Sequence, residues 1–313
     1  MTQPASIYLR SLGTSLPERW VGLDALRLRS KPEVLAGFGF TGAAIADDLD
    51  PLVLEAARQA LGDLAPTEVG ALLYASALAS GHTRASATPS GDVLDAFCYR
   101  ASWLQDALSL DRAVVSGIAQ QGCAGMFSAL RQARALLLAE PELENVLCVG
   151  ADAFGAEGTR EILYNVVSDA ACAVMLSRNV GWARWLGHAQ ISQGYYWDVP
   201  AREVELIAAY FPTARAVIRK ALAQAQLEPG EIDLIIPTGV NAASWPILLR
   251  LCGLAEDRLY QPQARFGHTI AADSLIYLSE ARTRGVLRGG QRVLLFTYGF
   301  GSSWCALILE VVA

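Results

Sequence analysis

A duplicated α/β fold is predicted from three observations. The stretches ALGDLAPTEVGALLYASALAS from Ala60 and ALAQAQLEPGEIDLIIPTGVNAAS from Ala221 share one order, a helix end, an acidic turn and an apolar strand entering a polar loop. ENVLCVGADAF from Glu144 and GQRVLLFTYGFGSSW from Gly290 form a second pair, each an apolar run after a polar turn. Repetition at such long spacing points to duplication of a whole half, not to a solenoid. The composition, 53% hydrophobic and 18% charged, suits buried sheets covered by helices. At 313 residues the chain exceeds one ordinary domain of ~100–200 residues. The halves are placed at residues 1–176 and 177–313, with no Pro/Gly/Ser-rich linker between them.

The elements follow in chain order. Pro51 to Leu61 carries apolar residues at helical spacing, and Val114 and Val115 close an apolar strand-like segment. Ala124 to Ala139 is strongly helical, and the short apolar runs Val146–Val149 and Ala171–Leu176 read as strands buried on both faces. Trp182 to Val199, rich in Trp and Tyr, is the least regular tract and reads as a lid, a partner surface or a packed connection. Val204 to Ala225 is a helix, and another follows His268 with Leu275, Leu278 and Ala281 on one face.

Charge and cysteine usage exclude several functions. A net charge of -6 with no basic run or interleaved aromatic stripe argues against a nucleic-acid partner. MTQPASIYLRSLGTSLPERW has neither a basic n-region nor an apolar core, so no signal peptide and no membrane partner are expected, and a cytoplasmic location is. Cys98, Cys123, Cys148, Cys172, Cys252 and Cys305 show no CxxC pair or close histidine, so free thiols are expected and no metal. His82, His188 and His268 are the only histidines.

Of the thiols, Cys123 has a helix-start setting, with Gly122 allowing a sharp turn just before it. Unpaired N–H groups and the positive end of the helix dipole favour thiolate there, which makes Cys123 a candidate nucleophile. The alternative is a small residue packed under the turn. Cys148, Cys172, Cys252 and Cys305 lie in apolar patterns and read as core thiols. His268 precedes a helix with Asp273 five residues on, a carboxylate able to orient the ring so that its other nitrogen takes a proton. Alternatively Thr269 and Asp273 merely stabilise the helix start. His82 reads as a solvated loop residue and His188 as a bystander. YGFGSSW, residues 298–304, reads as a tight hairpin, as a source of N–H groups for a substrate oxygen, or as both.

LGTSLPERW, GCAGMFSALRQA, NVLCVGAD, SDAACAVML, RFGHTIAADS and GFGSSW, in this order, resemble the thiolase superfamily and within it the ketoacyl-ACP synthase III branch. The resemblance implies a duplicated five-layered α-β-α-β-α fold, a homodimer, and an active cysteine at the N-terminus of a buried central helix. It implies acyl thioesters of coenzyme A or an acyl carrier protein as substrates, so that coenzyme A or phosphopantetheine enters as part of the substrate and no other cofactor is needed. Condensing members carry a histidine in a PHQAN-like segment and an asparagine in a GNTSAAS-like one. Here the segments read PTGVN and GHTIAAD, with Thr238 in place of the histidine and His268 in place of the asparagine. The GHxxxxD pattern is similar to that of synthase III-like acyltransferases of natural-product pathways, which use a Cys (or Ser), His, Asp set.

The expected function is therefore acyl transfer through Cys123 to a hydroxyl, amine or carrier acceptor. His268 serves as the base, titrating near neutrality, and Asp273 orients it. The backbone N–H groups of Cys123 and Gly301 are expected to hold the oxyanion, and Thr238 and Asn241 to contact substrate. Carbon–carbon condensation with the Cys–His pair alone, or a non-catalytic carrier-binding subunit, are the competing readings. Arg160, Arg215, Arg219 and Lys220 read as surface bases for a coenzyme A or carrier-protein donor, or equally as ordinary solvated charges.

Overall fold

The computed structural model describes residues 6–83, 91–155 and 158–312. In the first half the chain forms β1 (Ile7–Ser15), β2 (Trp20–Gly22), α1 (Pro32–Gly37), β3 (Gly42–Ala44), α2 (Asp50–Leu61), β4 (Ala71–Ala75) and α3 (Arg100–Ala107). There follow β5 (Val114–Ile118), α4 (Gly125–Ala139), β6 (Asn145–Asp152), the short β7 (Glu161–Ile162) and β8 (Asn165–Val166), and β9 (Ala170–Arg178). The second half comprises β10 (Ala183–Ser192), α5 (Glu203–Ala225), β11 (Leu234–Ile236), α6 (Ser244–Cys252), α7 (Asp273–Thr283), β12 (Arg292–Gly299) and β13 (Ser303–Val311).

Nine strands run in the order β11-β12-β13-β10-β1-β9-β6-β4-β5. The halves repeat one scheme. β4 pairs in parallel with β6, then β9 and β1 follow antiparallel; β11 pairs in parallel with β12, then β13 and β10 follow antiparallel. The seam is narrow, with only Tyr8 opposite Arg184 and Leu9 opposite Ala183 joining β1 to β10.

Alternation along each strand builds three cores, because successive side chains point to opposite faces. Leu73, Val146, Cys148 and Val174 from the first half and Ile236, Leu295, Cys305 and Leu307 from the second turn inward onto α4 and α7. Leu72, Tyr74, Leu147 and Met175 turn outward onto α2 and α3. Ile235, Leu294, Phe296 and Ile308 turn outward onto α5 and α6. Helices, strands, helices, strands and helices thus form the five layers that the resemblance implies. α4 and α7 lie in the middle, which puts Cys123 and Asp273 at the starts of helices enclosed by both halves.

Several sequence expectations need correction. Val114 and Val115 open β5 instead of closing a strand. β9 runs to Arg178, past the expected boundary at 176. The tract from Trp182 is neither lid nor loop at first, since Ala183–Ser192 is a central strand. Its pattern was hidden because the residues facing α5, Gly187 and Ala189, are small and a bulge between Trp185 and Gly187 moves the buried positions from the inner core to the outer one. A Cβ at Gly187 would lie 2.7 Å from the Ala221 carbonyl oxygen, so α5 can press against this strand only over glycine. Among the described residues no helix is long and apolar enough to cross a membrane, and no His/Cys/Asp/Glu group could hold a metal ion.

Candidate active site

β5 ends at Ile118, and the chain then turns through Gln120 (φ 63°) and Gly122 (φ 50°) into a single 3-10 turn, Gly122–Ala124, that runs on into α4. Gly122 and, across from it, Gly299 at the end of β12 let this turn and the β12–β13 hairpin approach closely. A Cβ at Gly122 would lie 2.4 Å from the Phe300 nitrogen, and one at Gly299 would lie 2.7 Å from the Cys123 nitrogen. The nucleophile candidate is therefore seated by backbone packing, with the Thr297 hydroxyl also donating to its carbonyl at 3.4 Å. Its side chain is 9% exposed.

His268 is fixed to the other half of the molecule. Its N–H donates to the Val166 carbonyl at 2.8 Å, and its carbonyl accepts from Ser168 N–H at 2.9 Å. Gly267 before it takes φ +67°, where a Cβ would come within 2.4 Å of the Ser168 hydroxyl. This places His268 Nε2 3.4 Å from Cys123 Sγ and Nδ1 2.5 Å from Asp273 Oδ2. Four further donors converge on Asp273: the Thr238 hydroxyl and Gly239 N–H on Oδ2, and the N–H and hydroxyl of Thr269 on Oδ1.

The electrostatics follow from this geometry. Burial opposes charge on both groups, but each is the other's counter-ion. For His268 burial pulls the pKa down, yet Asp273 first and the Cys123 sulfur next outweigh it and hold the imidazole well above the usual histidine range. For Asp273 burial pushes up, while His268 and the converging donors bring the carboxyl below its ordinary value. The expectation of titration near neutrality is thus displaced upward in the resting protein, by Asp273 first.

Two cavities meet at Cys123. One, of about 470 Å³, is walled by Leu78, Phe154, Trp197, Ile270 and Gly301; the other, of about 320 Å³, by His268, Tyr210, Phe211, Tyr298 and Asn241. Ile162 and Phe300 belong to both. A larger groove of about 710 Å³ over Asp48, Arg58 and Trp103 holds none of these groups and lies on α2, away from the thiol.

The other sequence candidates fall as follows. Gly301 lines the larger of the two cavities at Cys123, and among the described residues neither its N–H nor that of Cys123 donates to a backbone carbonyl outside its own element. Thr238 is wholly buried behind the imidazole, so it is placed to hold Asp273 instead of touching substrate. Asn241 lines the His268 cavity, with its side-chain oxygen capping Ala243 N–H at 2.9 Å. Arg160 is no surface base; it is 1% exposed and bonded to Asp169. Arg215, Arg219 and Lys220 are exposed. His82 is half-buried with Nε2 3.1 Å from the Ser76 carbonyl, and His188 sits on β10, lowered to about 4 by burial and then by Arg134 and Arg131. Sequence reasoning missed the seating role of Gly299, the four-donor cradle of Asp273 and the place of Tyr210 in the cavity wall.

Residues 222–311 match the family described as 3-oxoacyl-[acyl-carrier-protein] synthase III, C terminal. A beta-ketoacyl-[acyl-carrier-protein] synthase III of Nitratidesulfovibrio vulgaris (strain Miyazaki F) is 27% identical over 216 residues, covering 60% of this chain and 64% of that protein. A second such synthase, from strain DP4, is 29% identical over 52% of this chain and 49% of its own length. The chain therefore spans about half to two thirds of the length of these relatives. Among solved structures, 3-oxoacyl-[acyl-carrier-protein] synthase III from Aquifex aeolicus has a TM-score of 0.82 at 22% identity, over 97% of this chain and 99% of that one. ChlB3, described as an acyltransferase, has a TM-score of 0.83 at 24% identity, over 98% of both chains.

The chain resembles ketoacyl-ACP synthase III, whose C-terminal family matches residues 222–311, and it has the fold of the solved synthases. Within this synthase III-like frame the site carries one imidazole. Among the described residues, neither His82 nor His188 lines either cavity at Cys123.

Proposed function

We propose that this synthase III-like chain is an acyltransferase, in which Cys123 accepts an acyl group from a coenzyme A or acyl-carrier-protein thioester and passes it to a hydroxyl, amine or carrier acceptor. The observation that carries the reading is the unbranched line Asp273–His268–Cys123, at 2.5 and 3.4 Å, with Thr238 turned away onto the carboxylate. A decarboxylating site of this family holds its malonyl oxygen with two side-chain donors; here a single imidazole is left, and the neighbouring hydroxyl is already engaged.

In the first half-reaction the Cys123 thiolate attacks the thioester carbonyl, and the N–H groups of Cys123 and Gly301 receive the developing oxyanion. Collapse expels the donor thiolate, which takes the proton of the His268 imidazolium. With that proton gone the neutral ring, still oriented by Asp273, is a usable base. In the second half-reaction His268 Nε2 takes the acceptor's proton as its oxygen or nitrogen attacks the acyl-enzyme. Collapse then regenerates thiolate and imidazolium together. The cavities suit this division: Gly301 lines only the larger, fitting it to the acyl group, and His268 only the smaller, fitting it to the leaving thiol and then the acceptor. The chain works as a homodimer in the cytoplasm on this reading, and a place in natural-product biosynthesis goes with it.

Incubation with butanoyl-CoA followed by intact mass is expected to show one acyl group, absent in Cys123→Ala. No adduct with any short or medium donor would leave only a carrier-binding role. Release of carbon dioxide with a ketone product from a malonyl co-substrate would replace transfer with condensation.

A further inference from the structure

Asp152, the last residue of β6, is a buried acid that the mechanism above does not use. Its Oδ1 accepts the Ser76 hydroxyl at 2.7 Å and Ala77 N–H at 2.8 Å. Its Oδ2 is enclosed and completes no hydrogen bond among the described residues, while Ala271 N–H lies near enough to favour the charged form. One carboxylate thus stands between two segments from different halves, the chain leaving β4 and the turn Ile270–Ala272 that joins His268 to α7.

Both segments supply wall to the larger cavity at Cys123, through Ala77 and Leu78 from one and Ile270 from the other. Ile270 takes φ 56°, a left-handed conformation in which a β-branched residue is an outlier that only its surroundings hold in place. Before it, Thr269 is fixed to Asp273 by its N–H and its hydroxyl. After it, Ala271 is the residue on which Asp152 acts.

We propose that Asp152 is a positioning residue: its carboxylate ties the 76–78 segment to the Ile270–Ala272 turn and so holds the larger cavity in the shape that takes the acyl group. This rests on the acyl-thioester reading above. A proton on the carboxyl turns an acceptor of N–H groups into a donor facing them, and the wall loses its tie. Burial raises the group to about 6, outweighing the Ser76 hydroxyl and the Ala77, Ala271 and Leu78 N–H groups that pull it down, so the tie weakens in mildly acid solution. Tyr74 on β4 and Cys172 on β9 are pushed well up by burial first and by Asp152 in part, so both stay neutral there. Beyond them Asp273 on α7, lowered and ionised, acts on Cys172, and Arg100 on α3 and Asp50 on α2, bonded to each other, act on Tyr74. His82 meets the same segment at the Ser76 carbonyl, 3.1 Å from its Nε2, and has to be separated from Asp152 by substitution.

The test reads the acyl group apart from the arm that carries it. In a Cys123→Ala background, calorimetric titration gives the affinities of butanoyl-pantetheine and of pantetheine, the arm common to both donor sources, at pH 7 and pH 5. The advantage of the butanoyl compound is expected to fall roughly three- to tenfold at pH 5, where only about one molecule in ten keeps the ionised carboxylate. In Asp152→Asn the advantage should be small at both pH values, and in His82→Gln it should fall as it does with His82 present. An advantage that is equal at the two pH values, that still falls in Asp152→Asn, or that stops falling in His82→Gln overturns the proposal; the first of these needs no substitution near Asp152. No advantage at pH 7 overturns the proposal together with the seating of the acyl group in the larger cavity. The expected behaviour with no acyl group gained by intact Cys123 would overturn the acyl-enzyme reading alone.

Discussion

At the scale of single residues the site is a buried ion pair whose cost is met by a dense set of donors. His268 and Asp273 are 3% and 1% exposed, and a charge so enclosed survives only when paired and hydrogen-bonded. The linkage to stability has opposite signs at the two ends of the pH scale. His268 is raised in the folded chain, so its contribution is fully present below the ordinary value of 6.5 and is lost as pH rises through the higher folded value. Asp273 is lowered, so its contribution is present above 3.8 and is lost as pH falls through its folded value. In Asp273→Asn the imidazole loses the strongest influence opposing its burial. The alkaline loss of stability in urea denaturation is therefore expected to begin at lower pH than in the unsubstituted chain. Acyl transfer should fall in kcat by ~10²–10⁴ with a smaller change in KM, as expected when a base loses its orienting group. An unshifted alkaline limb would mean that the carboxylate does not hold the imidazolium.

At the scale of elements, the β12–β13 hairpin and the start of α4 form one packed unit. A Cβ at Gly299 would come within 2.0 Å of the Gln121 carbonyl oxygen and 2.5 Å of the Ala124 nitrogen, both backbone atoms that no rotamer change relieves. Gly299→Ala is therefore expected to cost about 1–3 kcal/mol by overpacking and to displace the thiol enough to lower its acylation rate. Gly230→Ala, with nothing near its Cβ, should stay within about 0.5 kcal/mol. Equal behaviour of the two would sink the packing argument. Such contacts also explain what sequence could reveal. Cys123 and His268 were legible because the turn glycine, the helix start and the carboxylate five residues on are local patterns. Thr238 was misread because its partner lies 35 residues away and nothing local tells a cavity-facing hydroxyl from one turned inward. β10 was missed because glycine and alanine face its neighbouring helix, leaving the apolar signal of a strand to Trp185 and Ile191.

At the scale of the whole molecule, duplication explains both the site and an unfinished edge. The two halves meet along a narrow seam and each brings one reacting group, so the Cys123–His268 distance depends on both sheets closing on α4 and α7. The first half ends on β5, which pairs only with β4 among the described residues and leaves Val114 71% exposed. Val93, Leu94 and Phe97, ahead of α3, are also exposed, at 72%, 68% and 58%. A free strand edge is a template for another chain, and exposed apolar groups mark contact surfaces. The homodimer is accordingly expected to form with β5 at its interface. Sedimentation velocity should give a dimer at micromolar concentration, and Val114→Lys together with Leu94→Asp should shift it to monomer by burying charge where apolar groups meet. Dimerisation unaffected by both substitutions would place the interface elsewhere. A monomeric unsubstituted chain at tens of micromolar would remove the dimer from the reading, while the line from Asp273 to Cys123, built within one chain, would stand.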